Sequence, residues 1–215
     1  ADETGAIIKN FMMDKFEVTN KDYANFISSG GYENQSLWNI AVGASLYDGD
    51  NNFISNNFLD KTNLPAPRNW SGSIYPEGQG DTPVTDISWF EADAFCRWQN
   101  KKLPSSNQWW RAALGENDYL FPWGNDMNNL MKRANFESQK AWESSDENIY
   151  GASIFGVFDL AGNVSEWLDI EQNNTSTSQI VGGSWQDSSY IFDISINEYL
   201  PLTFHSSNVG FRCVK

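Results

Sequence analysis

The sequence predicts an α+β fold of short elements joined by much irregular chain, and three observations carry that prediction. Apolar residues recur at helical spacing in only a few short stretches and alternate over brief runs elsewhere. Asn, Ser, Gly and Asp are abundant, and these residues favour turns and side-chain-to-backbone bonds over long regular elements. The 215 residues include ten Trp, eight Tyr and fourteen Phe, so the expected core is built on rings rather than on aliphatic stripes. A chain of this length buries roughly 70% of its unfolded surface. No repeat, low-complexity tract or linker divides it, so a single domain over residues 1–215 is expected.

The elements follow in order. Phe16 and Val18 alternate as in a short strand, after which Thr19 or Asn20 caps a helix bearing Tyr23, Phe26 and Ile27 on one face. Residues 28–81 read as irregular chain pinned by Trp38, Tyr47, Phe53, Phe58, Trp70 and Tyr75. From Pro83 a short strand runs into a helix that Ser88 caps, with Glu91 completing a capping box. Phe90, Ala94, Phe95 and Trp98 mark its apolar face, and it stops before Pro104. Ser105 or Ser106 opens the next helix, with Trp109, Ala112 and Ala113 inside. Short strands are expected at 154–160, 166–170, 180–185, 191–196 and 209–214.

The formal net charge of −14 argues against nucleic acid, whose phosphates need Lys and Arg, and against docking on anionic lipid. No apolar run reaches the roughly 18 residues of a membrane span, so no membrane insertion is expected. Ala1-Asp2-Glu3-Thr4 lacks the basic-then-apolar start of a signal peptide. The acidity reads either as a soluble surface or as carboxylates that hold cations such as calcium.

Seven blocks carry a family resemblance: KFEVTNKDYANF (15–26), PVTDISWFEADAFCRWQNKKLPSSNQWWRAA (83–113), FPWGN (121–125), ANF (134–136), FGVFDLAGNVSEW (155–167), GGSW (182–185) and SSNVGFRC (206–213). In content and order they resemble the formylglycine-generating-enzyme family, the sulfatase-modifying factor domain. The resemblance implies a C-type-lectin-like fold with a small antiparallel sheet, two main helices and extensive irregular chain.

By themselves Cys96 and Cys213 read as buried free thiols, as a pair, or as including one reactive thiol. The resemblance implies that they pair, because exported members link these two positions. Such a bridge would be worth about 4–5 kcal/mol by loop entropy and implies an extracytoplasmic setting, whether periplasmic, surface or secreted. A second family disulfide is absent at both ends, at Ala113 and Asn197. Active members carry two copper-binding cysteines three and eight residues beyond the serine of GGS. Here those positions are Asp187 and Phe192. Cu(I) is soft and needs thiolates, so no copper is expected, copper-dependent formylglycine generation is not expected, and no catalytic residue is assigned.

The resemblance also implies calcium, which takes six to eight oxygens from carboxylates and carbonyls. One site would use the side chains of Asp159 and Glu166 with the carbonyls of Gly162 and Val164. A second would use Asn135 and Phe136, joined by Asp146 and Asn148. Read without the resemblance, residues 159–166 form a polar turn. His205, the sole histidine, reads as an exposed loop residue, too few for a two-His-one-carboxylate iron site. The loop 186–207 offers Asp187, Tyr190, Phe192, Tyr199 and His205 as a surface for a small ligand or protein partner. The function expected is a non-catalytic, calcium-stabilised binding or structural module, with an exported bacterial assembly as its setting. The alternatives are an oxidative maturation enzyme using non-copper chemistry and a lectin-like ligand scaffold.

Overall fold

A computed structural model describes residues 10–38, 64–138, 140–141, 149–170, 176–193, 196 and 198–215. Its three main helices each begin where a side chain satisfies the orphan N–H groups of a first turn. Helix α1 (Asn20–Ser28) starts at Thr19, whose hydroxyl accepts from the Asp22 N–H while the Asp22 carboxylate accepts from the Thr19 N–H. Helix α2 (Trp89–Trp98) repeats this with Ser88 and Glu91, and α3 (Ser106–Leu114) with Ser105 and Gln108. A single turn, α4 (Leu130–Arg133), follows. The described residues therefore hold three helices of similar length where the resemblance implied two.

Four short strands form one sheet: β1 (Ser165–Trp167), β2 (Thr177–Val181), β3 (Glu198–Pro201) and β4 (Val209–Gly210), in the order β3-β2-β1-β4. β1–β2 and β2–β3 are antiparallel, but β4 runs parallel to β1 with Gly210 opposite Glu166. The sheet is therefore mixed, because the chain after β3 crosses the sheet end before returning beside β1. A Cβ at Gly210 would lie 2.9 Å from the Val84 carbonyl oxygen, so β4 reaches its place only as glycine.

Among the described residues four expected strands are absent: neither the stretch 16–18 nor the run from Pro83 forms one, Thr19 and Pro83 sharing only an isolated bridge, and 154–160 and 191–196 take other forms. Residues 154–160 turn at positive φ at Gly156 and Asp159 and expose Ile154 and Phe155. In 191–196, Ile191 closes a 3-10 turn and Phe192 is buried. Tyr47, Phe53 and Phe58 lie outside the described residues.

The sheet separates two aromatic clusters. Tyr23, Phe26, Trp89, Phe95, Trp167, Ile180 and Phe211 belong to the first, and Trp109, Trp110, Phe121, Phe136, Leu168, Val181 and Phe192 to the second. Successive residues, Trp167 and Leu168 or Ile180 and Val181, join opposite clusters, as the period of a strand requires. Cys96 of α2 and Cys213, just past β4, form a disulfide with a Cα–Cα distance of 5.6 Å, and both are fully buried.

Candidate functional site

Strand β2 ends in Gly182 and Gly183, both at positive φ. A Cβ on Gly183 would overlap Ile191 Cγ2 at 2.2 Å, so the chain turns tightly here and delivers Ser184 to a fixed place. Ser184 donates to Asp187 Oδ2 from its N–H (2.9 Å) and its hydroxyl (2.6 Å), and Asn208 Nδ2 donates to Ser184 Oγ at 3.1 Å. The Asp187 carbonyl accepts from the Glu137 N–H. Asp187 is thus spent on closing the turn.

Phe192 corrects the expected surface. Its ring packs 5.3 Å from Trp110, 5.8 Å from Phe121 and 6.1 Å from Trp109, and it is 5% exposed. Its apolar ring is buried in the second cluster rather than presented to a partner. The space beside it, bordered by Trp110, Gly183 and Ile191, is about 10 Å³, room for about one water. Tyr190, 76% exposed, and Tyr199 do lie on the surface. His205 is a second correction. Its side chain is 4% exposed, and its Nε2 lies 3.1 Å from Glu91 Oε2, because the loop folds it inward against α2.

The other polar centre lies under β1. Glu166 is fully buried; its carboxylate accepts from Arg212 Nε and Nη2 at 2.7–2.9 Å and from Trp109 Nε1 at 2.8 Å. Arg212, also fully buried, donates further to the carbonyl oxygens of Asp14, Lys15 and Phe158. Glu17, 2% exposed, accepts from Asn163 Nδ2 on Oε1 and has no partner on Oε2. Burial, and then the charge of Asp159, push the Glu17 carboxyl well above the usual range. Asp159 is raised to about 6 by burial, with Arg212 opposing and Glu166 adding. Three carboxylates thus share one guanidinium.

The two stretches expected to hold calcium meet here. Gly162 bridges Asn135, the Asn163 N–H donates to the Asn135 carbonyl at 2.9 Å, and a Cβ on Gly162 (φ +76°) would lie 2.5 Å from that carbonyl oxygen. Asn135 Nδ2 donates to Asn163 Oδ1 and to the Lys140 carbonyl, which leaves Asn135 Oδ1 buried without a partner. Phe136 and Val164 are buried beside them, while Asp146 and Asn148 lie outside the described residues. The orphaned oxygens of Asn135 and Glu17 and the surplus of buried negative charge fit a hard divalent cation. Among the described residues no three Asp, Glu, His or Cys side chains converge as a cage by themselves, so backbone carbonyls would have to complete the shell.

Sequence reasoning missed Glu17 and Arg212. Glu17 was hidden in an alternating stretch, where a charged residue reads as facing water. Arg212 did carry a signal, since a cation between Phe211 and Cys213 in a core segment needs a buried partner.

This scaffold, with its closed serine turn and buried ionic centre, defines a formylglycine-generating-enzyme-like domain. The chain belongs to the family of sulfatase-modifying factor enzyme 1-like domains, whose model matches residues 2–215. It is similar to the inactive C-alpha-formylglycine-generating enzyme 2 of Mus musculus, 29% identical over 241 residues that span 96% of this chain and 75% of that one. It is also similar to the formylglycine-generating enzyme of Thermomonospora curvata, 26% identical over 185 residues, 73% of this chain and 58% of that one. Among solved structures, PvdO from Pseudomonas aeruginosa matches with a TM-score of 0.65 at 15% identity, over 97% of this chain and 81% of that one. The fold is the C-type-lectin-like one of this family.

Proposed function

We propose that this domain is a non-catalytic family member that serves as a calcium-stabilised binding or structural module in an extracytoplasmic setting. One observation carries the reading: the positions where active members hold copper thiolates are committed to structure. Asp187 fastens the Ser184 turn and Phe192 fills the groove between Trp109, Trp110 and Phe121. Both cysteines of the chain form the disulfide, so no thiol remains for a soft metal. The inactive mouse relative supports this reading, and the buried disulfide supports an oxidising compartment. The oxidative alternative is left with His205, already engaged by Glu91. The lectin-like alternative draws on Tyr190 and Tyr199, exposed beside the closed turn. No helix of the described residues is long and apolar enough to cross a membrane.

Calcium would be held at two sites, one by Asp159 and Glu166 with the carbonyls of Gly162 and Val164, the other by Asn135 and Phe136 with Asp146 and Asn148; at the first, Glu166 would share its carboxylate with Arg212 and Trp109. It would neutralise the surplus carboxylates and lock residues 159–166 against Asn135. At a hundredfold excess over its dissociation constant such a ligand adds about 2.7 kcal/mol, about 5–10 °C in melting temperature for a chain of this size. Thermal melts in calcium and in chelator test this. The expected result is a rise of that order that shrinks in Asn135→Ala and Asp159→Asn. Identical melts, with no calcium in metal analysis of protein prepared without chelator, would contradict it.

A further inference from the structure

We infer that His205 is held as an imidazolium at neutral pH and acts as a pH-sensitive latch fastening the 202–208 loop to α2. Its Nδ1 lies 2.8 Å from the Thr203 carbonyl oxygen and its Nε2 3.1 Å from Glu91 Oε2. Both partners are acceptors. A neutral imidazole has one N–H and would set a bare lone pair against one of these oxygens, whereas the protonated ring donates to both. Both Glu91 oxygens already accept other donors, Oε1 from the Tyr32 hydroxyl at 2.6 Å and Oε2 from the Ser88 N–H at 2.7 Å. The shared proton therefore belongs on the ring. The two side chains are 4% and 2% exposed, so water screens the pair little.

Two tyrosines lie on the Glu91 side of the pair. Tyr32 and Tyr23, their hydroxyls 3.0 Å apart, are pushed well above the ordinary phenol range by burial first and by the Glu91 charge second. They stay neutral donors. On the segment before α2, the Asp86 N–H donates to the Ser206 carbonyl, and Arg68 bonds the Asp86 carbonyl through its own N–H.

The latch bears on the serine turn through the loop itself. The Trp89 N–H holds the Leu202 carbonyl and the Asp86 N–H holds the Ser206 carbonyl. Asn208 then accepts the Ser165 N–H on its carbonyl and donates to Ser184 Oγ. His205 sits at the middle of this loop. Because the folded protein favours the protonated ring, its folded value is raised above the ordinary one of about 6.5. The stabilisation is complete below about pH 6.5 and is lost as pH rises through the folded value. Above it the loop loosens and the hold of Asn208 on Ser184 weakens.

His205 is the chain's sole histidine, so one imidazole NMR signal reports the titration. The expected midpoint lies at least one pH unit above 6.5, a tenfold tighter proton, and it falls in Glu91→Gln. In melts from pH 6 to pH 9, the advantage of the wild type over His205→Gln is expected to vanish. Amide exchange at Asp86 is expected to quicken above the midpoint beyond the ordinary base dependence. A wild-type midpoint at or below 6.5 would overturn the latch even where Glu91→Gln does not fold. A wild-type advantage over His205→Gln that is the same at both pH values would overturn it as well.

Discussion

Replacing Cys96 and Cys213 together by alanine is expected to remove about 4–5 kcal/mol of stability. The cross-link closes 117 residues, and loop-closure entropy of that length in the unfolded chain has this size. The position concentrates the effect. Cys96 lies in α2 beneath the aromatic cluster, and Cys213 lies where residues 12–14, 102 and 213–215 converge. Met12 and Lys215 exchange backbone bonds, the Asp14 N–H donates to the Cys213 carbonyl, and Lys102 and Val214 pair. Both cysteines have no exposure, so the alanines also leave a small void. Domains are stable by about 5–15 kcal/mol in total, so the loss takes a large fraction of the whole. Urea denaturation of the double variant and the oxidised wild type measures the difference. A loss below about 1 kcal/mol would mean that the bridge does not organise this convergence.

The buried ion pair carries the second large effect. Removing one partner of such a pair costs about 3–5 kcal/mol, because the other charge stays buried and unbalanced. The two halves should differ here. Glu166→Gln leaves Arg212 facing Glu17 and Asp159, whereas Arg212→Met leaves three carboxylates without their guanidinium. Arg212→Met is therefore expected to cost more, and the two single effects are expected to exceed the double variant when summed. Chemical denaturation of the three variants reads both. Equal costs, or Glu166→Gln the worse, would show that Glu17 and Asp159 do not depend on Arg212.

Both effects depend on residues that were unequally legible in the sequence. The helix starts were readable because a capping box is local: Thr19, Ser88 and Ser105 each act within three residues. The aromatic core was legible for the same reason of composition. The parallel strand β4 was not, since its pairing depends on how the chain crosses the sheet. Residues 154–160 looked strand-like by alternation, yet Gly156 and Asp159 turn at positive φ. In the site, Asp187 and Phe192 could be placed by counting from Ser184, but what they do could not. That Phe192 fills the groove depends on Trp110 and Phe121, some seventy to eighty residues away in sequence. Glu17, Arg212 and the His205–Glu91 pair are likewise long-range contacts (Glu91 and His205 are 114 residues apart), and a local pattern carries no record of them.

On the proposed reading, Asp187 and Phe192, at the positions of the copper thiolates in active relatives, serve structure alone. The most direct test of this claim is oxygen uptake by the purified chain, loaded with Cu(I) and given a cysteine-containing peptide, with copper retention measured alongside. The expected result is no stoichiometric copper and no peptide-dependent oxygen uptake above the protein-free blank. One retained equivalent of copper with peptide-dependent oxygen consumption would contradict the claim.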